Sequence, residues 1–199
     1  MKRLLTVLAL ALAASGAQAA TTTFRSTMSG PAEGTPNASP GYGVATIVLD
    51  DTANTLSLDI PFTDLLAGTT AAHIHCCTAD PLTGTAAVAT TLPAFADFPL
   101  GVTSGHYTHT LDLLDPVSYN PSFITAHGGT VDTAEAALIA GMLANESYLN
   151  LHTSLYPGGE IRGFLVELQS PVPEPGMAWM MWSGLAAVGV AGWLRGRRG

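Results

Sequence analysis

Short runs of period-two alternation, broken by glycine, proline, asparagine and aspartate, leave this chain few ways to fold. Leu56, Leu58 and Ile60 alternate with Ser57 and Asp59, so an extended strand would put the aliphatics on one face and the polar residues on the other. Residues 22–28 and 42–49 carry the same β-type signal, and the turn at 50–54 joins 42–49 to 55–60 as a hairpin, with Pro61 expected to end it. Further strands are expected at 71–77, 86–91, 106–114, 147–155 and 160–168. A single helical turn at 122–127, closed by Gly128 and Gly129, and one helix at 133–144 complete the pattern. Asp132 and Glu135 have the spacing of a capping box, and Leu138, Ile139, Met142 and Leu143 form an apolar stripe suited to the core. Strands and helices do not alternate, so the expected class is mainly β, an antiparallel Greek-key β-sandwich with one short helix, occupying residues 21–170 as one domain.

Within this pattern, the run at 71–77, AAHIHCC, carries the chemistry. On a strand, His73 and His75 share a face while Ile74 points to the opposite side, so one short segment serves both a ligand site and a core. The run at 148–152, YLNLH, places Leu149 and Leu151 on one face and Asn150 and His152 on the other, which makes His152 the first choice for a third ligand. Imidazole suits copper and zinc, and three such ligands leave a fourth position free. His106 and His109 would lie on opposite faces of their strand, and His127 stands apart. Cys76 and Cys77 are the only cysteines and are adjacent. They admit a vicinal disulfide, a Cys77 thiolate ligand or intermolecular bridges. The first is preferred because free exported thiols are reactive. Arg162 would form an ion pair with a nearby carboxylate, or attract an anion beside a metal.

AAHIH together with the late YLNLHT, a Pro-Gly-Gly turn and GEIRG resembles the CHRD domain over about 22–168. His73, His75, His152, Gly159, Glu160, Arg162 and Gly163 match that pattern. The resemblance implies an extracellular β-rich domain and brings no settled activity.

The ends resemble targeting sequence. Lys2 and Arg3 precede an apolar run, and Ala17-Gln18-Ala19 supplies small residues for cleavage, so residues 1–19 are expected to be a signal peptide. A Pro-rich linker at 171–176 holds Val172, Pro173, Glu174 and Pro175, followed by an uncharged stretch at 177–194 of transmembrane length and a basic tail at 195–199. That order resembles the PEP-CTERM sorting signal. It implies a Gram-negative host in which an exosortase-type protease acts on a membrane-anchored intermediate and passes the domain to the cell surface or an exopolysaccharide matrix.

Without these ends the chain is strongly acidic. Residues 21–176 keep two of the seven basic residues and all 15 acidic ones, for a formal charge of −13. Nucleic acid is excluded as a partner, because phosphate binding draws on lysine and arginine. The expected role is therefore an exported binding or structural component with a copper or zinc site rather than an enzyme. Its partners would be signal peptidase and the sorting protease during export, then exopolysaccharide or surface proteins. The alternatives are a copper-dependent redox enzyme resembling superoxide dismutase, and a metal-free adhesion module that binds polysaccharide or protein through the loop at 78–100.

Overall fold

The structure, a computed structural model, describes residues 21–169. The expected signal peptide, sorting motif, transmembrane stretch and basic tail lie outside the described residues. Eight antiparallel strands build one sheet: β1 Thr21–Ser29, β2 Tyr42–Asp50, β3 Thr55–Thr63, β4 Thr69–His75, β5 Gly105–Asp112, β6 Tyr148–Thr153, β7 Ile161–Phe164 and β8 Val166–Glu167. Their hydrogen-bonded order is β4-β6-β7-β1-β2-β3-β5, with β8 also on β1. Ile74 of β4 and Ile60 of β3 stand near opposite ends of that order yet belong to one buried cluster, so the sheet curls upon itself. The fold is thus mainly β and sandwich-like, with a continuous curled sheet where two sheets were expected.

Alternation drives the curl. Phe24 and Met28, then Ala45, Ile47 and Leu49, then Leu56, Leu58, Ile60 and Phe62 turn inward from β1, β2 and β3. Burying a Leu, Ile or Phe side chain contributes about 1.5–3 kcal/mol, and a one-residue slip would send every one of these groups to solvent, which fixes the register. Pro61 does not end β3. The strand runs on to Thr63 because Pro61 still aligns with His106 on β5, while pairing to β2 lapses opposite Ile60 and Pro61, where a hydrogen-bond donor is missing.

Two helices, α1 Pro121–Ala126 and α2 Val131–Leu143, pack beside the sheet. The capping box of α2 is made by Thr130 and Thr133, not by Asp132 and Glu135, so the helix begins two residues before the expected start. Leu138 and Met142 are buried, whereas Leu143 is half exposed. Gly141 faces Cys76 and Cys77, and any Cβ there would collide with both sulfurs. The expected strand at 86–91 is reduced to isolated bridges, His75 with Val88 and Thr90 with Tyr119. Its backbone still bonds the outer side of β4 through Cys76 N to Ala87 O and Ala89 N to Ile74 O, so that edge is covered.

Candidate metal centre

Strands β4 and β6 bring the histidines together. In their register His73 lies opposite Asn150, His75 opposite Tyr148 and Ala71 opposite His152, which sets all three imidazoles on one face. Ala72, Ile74, Leu149 and Leu151 occupy the other face and are fully buried. The ring centroids are 5.1 Å apart for His73 and His152, 5.8 Å for His73 and His75, and 5.9 Å for His75 and His152. One ring nitrogen from each residue lies within 4.8 Å of the other two. Small ring movements would bring three such atoms to about 2.0–2.1 Å from a single ion.

Backbone carbonyls decide which nitrogen faces inward. His73 Nε2 donates to Pro93 O at 2.6 Å, His75 Nδ1 to Ala86 O at 3.0 Å and His152 Nδ1 to Pro157 O at 3.0 Å. A carbonyl can only accept, so each of these nitrogens carries the proton of a neutral ring and the other keeps its lone pair. His73 Nδ1, His75 Nε2 and His152 Nε2 are buried and have no hydrogen-bond partner. Pinning of the distal nitrogen by a carbonyl is the outer-shell arrangement typical of ligating histidines. Two of the three carbonyls come from the long segment between β4 and β5, which covers the cluster.

Burial, only partly opposed by the carbonyl bonds, holds His73 and His75 down to about 4 and lowers His152 as well. All three rings are therefore neutral at pH 7, as ligation requires. Glu33 moves the other way, raised to about 7 by burial although Arg162 and nearby donors pull it down. These shifts set the acid response of the metal-free protein. A histidine whose folded pKa is depressed contributes stability that is complete above about 6.5 and lost as pH falls through about 4. Glu33, raised from 4.5 to about 7, gives a contribution that grows as pH falls across that interval. Burial also raises Glu135, but three lowered histidines outnumber the two raised carboxyls, so the melting temperature should peak near pH 6.5 and decline by pH 5 in calorimetry of metal-stripped protein. An unchanged melting temperature over that interval would show that the rings are solvated.

The other singled-out residues lie elsewhere. His106 Nε2 meets Asp59 Oδ1 at 2.6 Å on the open surface, His109 stacks on Tyr107, and His127 ends α1 against Phe123. Cys76 and Cys77 are joined as a vicinal disulfide across a cis peptide, and neither sulfur belongs to the histidine cluster. Arg162 does not take Glu160 as an ion-pair partner. Its Nε donates to Ala32 O at 2.6 Å and its Nη1 to Gly84 O at 3.0 Å, while the guanidinium covers the Tyr148 ring at 4.7 Å. Tyr148 in turn stacks on His75 at 4.7 Å. Glu33 was not anticipated from the sequence. It follows a short 3-10 turn, Gly30–Ala32, in a proline-rich segment where nothing in the local pattern marks it for burial.

A family model described as the CHRD domain matches residues 24–165. No curated protein matches the chain, and no solved structure does.

Proposed function

The chain belongs to the CHRD domain family, and we propose that it acts as an exported metal-binding component of the cell surface or extracellular matrix, holding one copper or zinc ion on His73, His75 and His152. One observation carries the metal: three buried imidazoles, each anchored by a carbonyl at its far nitrogen, turn three unpartnered lone pairs toward one another. Leaving such nitrogens unpaired costs about 1–3 kcal/mol each, a cost that an ion would remove. An all-imidazole set favours copper or zinc over calcium or magnesium, which prefer oxygen.

Three features support the export part of this reading. The start has the form of a signal peptide, residues 172–199 resemble a sorting tail, and a disulfide suits an oxidising compartment. The acidic surface would draw cations toward the site and keep the domain from nucleic acid. Its partners are then signal peptidase, an exosortase-type protease, and polymers or proteins of the envelope.

Native mass spectrometry of the protein recovered from its own cells without an affinity tag tests both parts. The expected spectrum shows a chain shortened at both ends and carrying one copper or zinc ion. A metal-free mass that takes up neither ion on titration would overturn the metal, and an unshortened chain would overturn the export reading.

A further inference from the structure

A cleft of about 650 Å³ opens beside the histidine cluster, between the segment after the 3-10 turn, strand β6 and the β6–β7 turn. That size is ordinary for a small-molecule site. Glu33 and Asn150 line it, at 7% and 3% exposure. The Asn150 amide approaches the Glu33 carboxyl. Even so, Glu33 Oε1 and Asn150 Oδ1 are left buried without a hydrogen-bond partner. Both lie near one point. A Cβ on Gly159, which sits at φ +125, would fall 2.5 Å from Asn150 Nδ2, 2.6 Å from Asn150 Oδ1 and 2.7 Å from Glu33 Oε1. The cleft thus presents two adjacent oxygens without partners beside the Asn150 amide donor.

We propose that this cleft binds a neutral ligand rich in hydroxyls, a sugar unit or small polyol, with neighbouring hydroxyls donating to Glu33 Oε1 and Asn150 Oδ1. Charge selects for neutrality. Above the raised titration range of Glu33, its carboxylate and Arg162 line the same cleft with opposite charges, which disfavours both a bare cation and a bare anion. Tyr156 and Pro157 supply an apolar wall for the carbon–hydrogen face of a ring. His75 also borders the cleft, but none of the hydrogen-bonding atoms invoked belongs to the histidine cluster. The site therefore extends the matrix-binding part of the proposed function without resting on the metal.

The test uses full-length protein in metal-free and zinc-loaded forms, titrated with methyl α-D-glucopyranoside and glycerol and, for contrast, with sodium sulfate and propylamine. Saturable binding of the glucoside or glycerol by both forms is expected, with NMR shifts confined to Asn150, Arg162 and the β6–β7 turn. Glu33→Ala should weaken binding about tenfold or more, as loss of a buried acceptor predicts. Should Glu33→Ala fail to fold, Tyr156→Ala at the rim is expected to give a smaller loss, and the wild-type shift map stands without either variant. Absence of saturable sugar or polyol binding would overturn the proposal, as would preference for sulfate or propylamine, shifts mapping elsewhere, or undiminished binding by folded Glu33→Ala.

Discussion

Replacing Glu160 with alanine is expected to destabilise the domain by about 3–5 kcal/mol, a large part of the total stability of an ordinary domain. Glu160 has no solvent exposure. Its Oε1 accepts from Ser39 Oγ and from Leu66 N, each at 2.6 Å, and its Oε2 accepts from Thr153 Oγ1 at 2.6 Å. Three segments far apart in sequence therefore meet on one carboxylate: the proline-rich stretch before β2, the bend after β3 and the end of β6. Alanine would leave all three donors buried and unpaired, whereas Glu160→Gln keeps the shape and one acceptor and should cost less. Urea denaturation followed by circular dichroism measures both. A cost below about 1 kcal/mol for the alanine variant would mean that water replaces the carboxylate and that the contacts contribute little.

The second large effect concerns the metal. With copper or zinc at about a thousand times its dissociation constant, binding should add about 4 kcal/mol to the stability of the wild-type domain. In a domain of this size that corresponds to a rise in melting temperature on the order of 10 °C. His73→Ala/His75→Ala should show no such rise, because one remaining imidazole cannot hold the ion against water. Differential scanning calorimetry of both proteins with and without metal reads the difference. An equal rise in the two would place the ion elsewhere, for instance on the exposed His106 and Asp59 pair.

Much of this arrangement was legible in the sequence because strands announce their faces. The alternation around His73, His75 and His152 predicts that the three share a side, and the register of β4 with β6 puts them there. The carbonyls of Ala86, Pro93 and Pro157 were not legible, since every residue carries a carbonyl and only the course of the chain decides which one meets a ring. The same reason hid the start of α2, where Thr133 bonds back to Thr130 although the Asp132–Glu135 spacing looked equally suitable. Arg162 was expected to pair with a nearby carboxylate; its donors go instead to backbone oxygens, while its charge acts on the Glu33 carboxyl across the cleft and Glu160 is already engaged.

The scarcity of basic residues has a further consequence. Arg25 and Arg162 are the only basic residues among the described ones, and both sit in strands flanked by partners: Arg25 between Thr46 and Val166, Arg162 between Asn150 and Ser29. A trypsin-like protease needs several residues of free backbone around its scissile bond, so neither site can be cut while these ladders are closed. Cleavage of the domain by such an enzyme would then report how often the sheet opens, not how much surface it shows. Resistance of the folded domain to such an enzyme would follow from that alone.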